Sequence, residues 1–390
     1  MFSKDIIQKF EKLPTPFYYY DIGLLTKTLE EVKKQFRKHN FHVHYALKAN
    51  SNPKILGLIQ SYGLGADCVS GNEVKRAAEC NFTNDKIVFA GVGKSDAEIN
   101  YALEKNILCF NVESLQELEV MNELAQKKNK VADIALRINP NVDAYTHKYI
   151  TTGLEENKFG INPYEFDEVI ESLKKLPNLK LIGLHFHIGS QITDLTPFKK
   201  LCQRVNEINQ WFIHKGFDLK IINVGGGLGV NYKEPEKENI VSFENFFNVF
   251  KEFLEVRPNQ EVHFELGRAI VAQCGSLISR VLYIKKAINT NFAILDAGMT
   301  ELIRPALYQA YHKIENLSAT LRTPDSELPT KYDIVGPICE SSDCFGKAME
   351  LPETQRGNII AIRSAGAYGE VMISGYNLRD KAPQVYSDEL

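Results

Sequence analysis

What this sequence lacks narrows it first. No run of about 18 apolar residues occurs, so nothing is expected to span a membrane. The opening segment, MFSKDIIQKF, holds no apolar stretch long enough for a secretion signal. The terminal SDEL only half resembles a retention tail and carries no weight without such a signal. An excess of one charge is missing too: 46 Lys+Arg stand against 49 Asp+Glu, a formal net charge of -3. That balance gives no reason to expect nucleic acid or an anionic membrane as partner. Seven cysteines are scattered without a C-x-x-C pair. An odd count, no secretion signal and a long chain point to free thiols in a reducing cytoplasm. Internal repeats and low-complexity segments are absent as well. What remains is an ordinary globular composition, 44% hydrophobic and 24% charged over 390 residues, enough for two or three domains.

Eight short apolar runs dominate the first two thirds. They are HVHYALKAN (42–50), GLGADCVS (63–70), KIVFAGV (86–92), ILCFNVES (107–114), DIALRINP (133–140), LIGLHFHIGS (181–190), KIINVGGG (220–227) and VHFELGRAIV (262–271). Each is rich in Val, Ile, Leu or aromatics, and polar or glycine residues follow, as in buried parallel strands. Helical patterns lie between them, such as ESLQELEVMNELAQKKNK and PYEFDEVIESLKKL. Asn52 before Pro53 is a good helix start. Strands alternating with helices predict an α/β fold, a (β/α)₈ TIM-like barrel over 22–272. After about residue 272 the runs SLISRVLYIKKA, NFAILDAGM, KYDIVGPICESSD and GNIIAIRSAGAYG follow one another without clear helices. They predict a second, mostly β domain, sandwich- or barrel-like, over 273–390 together with 1–21. PFYYYD, near 16–21, reads as a strand of that same domain, and 313–332 reads as a polar loop.

Several residues could carry chemistry. Lys48 falls at the carboxyl end of the first barrel strand, where barrel enzymes place their reacting groups. A lysine in a dry setting has a lowered pKa, which suits Schiff-base formation; the alternative is a solvated lysine at a strand end. Gly225, Gly226 and Gly227, with Gly229 just after, could turn backbone N–H groups toward a phosphate, or could be a simple turn. Glu265-Leu266-Gly267-Arg268 ends the eighth strand. Its acid could meet a pyridinium nitrogen and its arginine a phosphate or carboxylate, unless the two only form a rim salt bridge. His185 and His187 have a metal-ligand spacing, but His42 and His44 lie too far inside the first strand to complete a metal site. Cys339-Glu340-Ser341-Ser342-Asp343 could hold a proton donor beside acids. Arg304 with Tyr308 and Tyr311 could grip a carboxylate or be a packed loop.

In order and spacing, YALKAN, HFHIGSQ, the GGG run, ELGR and CESSD resemble the alanine-racemase-like, fold-type III pyridoxal-phosphate decarboxylases, most closely the branch acting on diaminopimelate. The resemblance runs from about Pro16 to Asn377. It implies pyridoxal 5′-phosphate (PLP) as cofactor, with Lys48 carrying it as a Schiff base and His187 stacking on its ring. Ser190, Gly226, Gly227, Gly267 and the backbone around Glu265–Arg268 would cradle the phosphate. Glu265 would keep the pyridine nitrogen protonated. Arg268, Arg304, Tyr308 and Glu340 would bind substrate, Tyr368 would serve phosphate and substrate, and Cys339 would donate a proton. In that family Cys339 and its neighbours come from the partner subunit, which implies a homodimer. The implied reaction is decarboxylation of meso-2,6-diaminopimelate to L-lysine and CO₂, the last step of lysine biosynthesis, in the cytoplasm. No metal is implied. Leu266, where the family usually has Pro, and Asn72, where Gly is commoner, depart from the pattern. A decarboxylase of another basic amino acid or of carboxynorspermidine, a non-catalytic PLP-binding relative, and a metal hydrolase are the competing readings.

Overall fold

The computed structural model describes residues 2–143, 158–321 and 329–390. A helix, Lys4–Lys12, leads into strand β1, Phe17–Tyr20. Eight parallel strands follow: β2 (His42–Ala46), β3 (Gly65–Cys68), β4 (Ile87–Phe89), β5 (Cys109–Val112), β6 (Ala132–Arg137), β7 (Leu179–His185), β8 (Ile221–Asn223) and β9 (Glu261–Leu266). They pair in sequence order and close as a barrel, with β9 returning to β2 in the register His42↔His263 to Tyr45↔Leu266. The predicted (β/α)₈ barrel is therefore present.

Local chemistry sets where each crossover helix starts. Asn52 accepts the Lys54 N–H at the start of the helix Pro53–Ser61. Ser70 and Ser114 accept from Glu73 and Glu117 in the same way. Ser95 and Glu98 form a reciprocal capping box. On the outer face, Phe264 of β9 packs against Phe246, Phe247 and Phe250 of the helix Phe243–Phe253, with ring centroids 4.9–5.7 Å apart. Inside the barrel, Val88, Cys109, Ala135, Ile182 and Ile221, one from each of five successive strands, form an apolar layer. By strand alternation, Asn111, Arg137 and Asn223 lie two residues further on the same side, toward the carboxyl ends. On β5, β6 and β8 the inward face thus changes from apolar to polar along the axis.

The remaining strands are β10 (Gly275–Lys286), β11 (Asn291–Leu295), β12 (Ile314–Asn316), β13 (Thr330–Val335), β14 (Cys344–Leu351), β15 (Ile359–Ile362) and β16 (Gln384–Tyr386). They form a sheet in the order β12-β15-β10-β11-β13-β14, with β1 joining β10 and β16. PFYYYD is a strand of this sheet, as its aromatic run predicts. Its core joins Ile7, Phe10, Phe17, Tyr19, Ile278, Leu317, Ile359 and Ala361. Part of the predicted polar loop at 313–332 is ordered instead: it holds β12 and the short helix Leu317–Thr320, capped by Asn316. Residues 322–328 of that stretch lie outside the described residues. The Arg304–Tyr308 segment is a helix, with Pro305 in its first turn. Strand β14 carries little sequence signal because most of its positions are not buried.

The chain divides into two compact units, Leu29–Gly229 with Ser242–Gly267, and Met1–Thr28 with Val230–Val241 and Arg268–Leu390. The 230–241 excursion belongs with the β-rich unit because Tyr232, Glu236 and Glu238 bond to Arg268, Lys313 and Gln273 there. Among the described residues, no helix is long and apolar enough to cross a membrane.

Candidate active site

In the barrel, β2 ends at Ala46, and Lys48 sits on the one-turn helix Leu47–Ala49 that follows. Its Nζ lies 3.4 Å from Asp67 Oδ2, on β3. Burial first, and then the charge of Glu265, push Asp67 up to about 6, while Lys48 works the other way. Gly267 packs against Ala46 and Ala49 on either side of Lys48, leaving 2.9 Å between an added Cβ and that of Ala49.

Glu265 is met by three side-chain donors. Its Oε2 accepts from His185 Nε2 at 3.0 Å, and its Oε1 accepts from Asn223 at 2.8 Å and Asn111 at 3.3 Å. Burial alone would raise its pKa. The bonded His185, with Lys48 and His187 nearby, instead holds it well below the usual carboxylate range. Three of its roughly four acceptor positions are taken, which leaves capacity for one more donor. Glu265 does not pair with Arg268, so the rim salt bridge is not formed.

His187 accepts the Gly226 N–H at Nδ1, 3.3 Å away. Burial, then the Lys48 charge, push it down to about 3, so it is a neutral, flat ring at working pH. Gly225 and Gly227 have φ of +71° and +107°. A Cβ on Gly226 would run into the carbonyl of Glu265, and one on Gly225 into that of Phe186. The glycine run therefore lies flat against β7 and β9. Ser190, half-buried, lies in the loop after β7, whose Ile192 N–H donates to Gly227 O at 2.9 Å.

The β-rich unit assembles a second group. Arg268 and Arg304, both buried, donate to one oxygen, the Tyr232 hydroxyl, at 2.6 and 2.9 Å. Burial works upward on that phenol, yet the two guanidiniums hold it below its usual value. Arg304 also donates to His312 Nε2 at 2.9 Å, and His312 Nδ1–H donates to the Arg363 carbonyl at 2.8 Å. The Arg268 guanidinium lies 4.8 Å from the ring centre of Tyr368, whose φ of 55° is unusual for a side-chain-bearing residue. Tyr308 ends the Arg304 helix half-buried, near enough to act on Arg268, whereas Tyr311 is exposed.

Cys339 and Glu340 are exposed, on a turn held by the buried Asp343, which accepts from Ile338 and Met299. The Cys339 N–H donates to Asn377, and Tyr376 donates to Glu340. Neither bonds to the arginine pair among the described contacts.

Asp67, Asn111, His185, Asn223, Tyr232 and His312 belong to these groups although the sequence does not mark them as site residues, apart from the metal-ligand spacing of His185 to His187. The first four shared a signal, a polar residue inside an otherwise apolar strand run. Tyr232 and His312 had none, because their partners are 36 and 8 residues away on other segments.

Residues 22–272 match the family model "Pyridoxal-dependent decarboxylase, pyridoxal binding domain". The chain is 55% identical to diaminopimelate decarboxylase of Bacteroides thetaiotaomicron, with 98% of each chain covered. It is similar to the crystal structure of diaminopimelate decarboxylase from Helicobacter pylori complexed with L-lysine, at 42% identity and TM-score 0.87, over 97% of this chain and 93% of that one. A Vibrio vulnificus lysine/ornithine decarboxylase, at 22% identity and TM-score 0.83 with each chain fully covered, shares the fold.

Proposed function

This chain belongs to the fold-type III pyridoxal-dependent decarboxylases, in the diaminopimelate decarboxylase branch, and we propose that it converts meso-2,6-diaminopimelate to L-lysine and CO₂ using PLP held by the barrel. The cofactor, when bound, supplies the electron sink for the bond to CO₂. The residues present fit it. Lys48 offers the amine that would hold it covalently. The close-packed Gly225–Gly227 run leaves backbone rather than side chain facing a phosphate, with Ser190 and Gly267 beside it. His187 offers a neutral ring face for stacking. Glu265, kept ionised and with one acceptor position left, would hold a proton on the ring nitrogen.

The observation that carries the choice of substrate is Arg304. It is buried, and its described partners are a phenol and an imidazole, with no carboxylate among the described residues in ion-pair reach. A buried guanidinium is strongly favoured by an anion. The distal carboxylate of a diamino dicarboxylic acid supplies one, whereas ornithine, lysine and arginine do not. Arg268, Tyr308 and Tyr368 would complete that clamp. Holo protein given meso-2,6-diaminopimelate should release L-lysine and CO₂, and should leave ornithine, lysine and arginine unchanged. Comparable turnover of ornithine would sink the dicarboxylate reading.

Cys339 would return a proton to the α-carbon, with Glu340 beside the substrate. Both are exposed in a single chain, which suits service to a partner's barrel in a homodimer. Lys48→Ala and Cys339→Ala proteins would then each be crippled. After subunit exchange, random pairing should restore about a quarter of full activity. A verified heterodimer without activity would put both residues in one subunit's site. All seven cysteines are free thiols, which suits the cytoplasm as working compartment.

A further inference from the structure

At the other end of the barrel from Lys48, the amino ends of β2 and β9 carry a histidine group that the decarboxylation does not use. These are the first and last barrel strands, so their pairing is the seam that closes the barrel. His42 and His263 are cross-strand partners in it. Glu261 and His263, two residues apart on β9, share one face. Glu261 Oε2 lies 3.2 Å from His263 Nε2 and 3.7 Å from His42 Nε2. The ligand atoms of all three lie within 4.8 Å of one another.

Hydrogen bonding sets the protons behind them. His44 Nδ1 faces the Lys86 carbonyl at 3.0 Å, an acceptor only, so it carries a hydrogen. His44 is fully enclosed with a carbonyl and an imidazole for company, which disfavours a cation there. Its Nε2 is therefore a lone pair, and His263 Nδ1, 2.8 Å away, must donate to it. That turns the Nε2 edge of the His263 ring to a carboxylate oxygen. His263 is 3% exposed. A proton or a metal ion can each join that nitrogen to the carboxylate. The Lys86 carbonyl–His44–His263 chain is also the kind of support that orients a metal-bound imidazole, since such rings donate their other N–H to a fixed acceptor.

We propose that His42, Glu261 and His263 form a binding site for a divalent transition-metal ion of the zinc type, clamping the barrel seam. Two imidazoles and one carboxylate are a donor set that such ions take, with a fourth position open to water. Ligands about 2.0–2.1 Å from a tetrahedral ion stand roughly 3.3–3.4 Å apart, close to the two separations seen. His42 and Glu261 are about half exposed, at 45% and 55%, so an ion can reach the site and His42 can turn toward it. Lys86 and Lys220 act on His42 and Glu261, and they make the site weaker than a closed four-ligand one.

Chelator-treated holoenzyme titrated with Zn²⁺ by calorimetry tests this. Wild type and Cys339→Ala should each bind one equivalent per chain, and Zn²⁺ should raise the melting temperature of both. The surface variants His42→Ala and Glu261→Gln should bind at least about tenfold more weakly, lose the thermal shift, and decarboxylate at the wild-type rate. No binding by wild type, or equal binding by both surface variants, would overturn the site. Binding lost in Cys339→Ala and kept in His42→Ala would assign the ion to the thiol and overturn it equally.

Discussion

In the barrel, Glu265 is met by three donors from three other strands, Asn111, His185 and Asn223. In the β-rich unit, Arg304 is as deeply buried but meets a phenol and an imidazole instead of an acid. The first arrangement already holds its charge with three donors. Its charge is stabilised before any ligand arrives, as would suit the role proposed for it. The second is incomplete. Tyr232 and His312 orient the guanidinium without neutralising it, so on the proposed function the incoming ligand would provide the anion. On the proposed roles, a permanent cofactor and a transient substrate would call for these two different designs.

The largest effect that would sharpen this contrast lies in the barrel. Lys48→Ala should abolish turnover, since lost proton transfer alone costs roughly 10²–10⁴-fold. Borohydride reduction and peptide mapping of wild type should find the cofactor adduct on Lys48 and on no other lysine. Glu265→Gln should keep the cofactor, because the glycine run and Lys48 are untouched, while kcat falls by roughly 10²–10³-fold. Near-normal turnover in that variant would remove the reason for so complete a shell around Glu265.

Changes in the β-rich unit should act on binding. Arg304→Ala should raise KM for diaminopimelate and leave the cofactor spectrum unchanged. Losing a charge-assisted bond costs about 1.5–3 kcal/mol, or about ten- to a hundredfold in kcat/KM. An unchanged KM would break the comparison, since Arg304 would then not be waiting for an anion.

The smallest effect concerns acid, and here the two units should behave alike. His187 in the barrel and His312 in the β-rich unit are each lowered from 6.5 to about 3, burial first, and then by the charge of Lys48 or of Arg304. The unfolded chain binds protons that the fold refuses. Stability should therefore fall as pH drops from about 6.5 toward 3, and be insensitive to these groups above that window. His312→Asn should flatten part of that fall in a melting-temperature series. An unaltered slope would mean that His312 is protonated in the fold.

Barrel strands, the helix start at Asn52, the Lys48 position and the glycine run were all legible in the sequence. Each depends on neighbours a few residues away, through strand hydrophobicity, Asn before a helix, or a glycine at positive φ. Even PFYYYD announced its strand by composition. Strand β14 did not, because a mostly exposed strand needs no apolar run. What the tertiary structure alone decided is which polar groups meet. Asn111 reaches Glu265 across 154 residues, His185 across 80, and Tyr232 joins Arg304 across 72. It also decided that His42, deep at the start of its strand and so read as too far from His185 and His187, faces His263 across the seam. Closing eight strands into a ring sets the Glu265 and His42 pairings through register, and register depends on all eight strands at once, whereas Tyr232 and Arg304 meet within the β-rich unit. Hydrogen-bond partners and the ionisation they impose follow from that closure, because the field at a buried group comes from atoms near in space, whatever their distance along the chain.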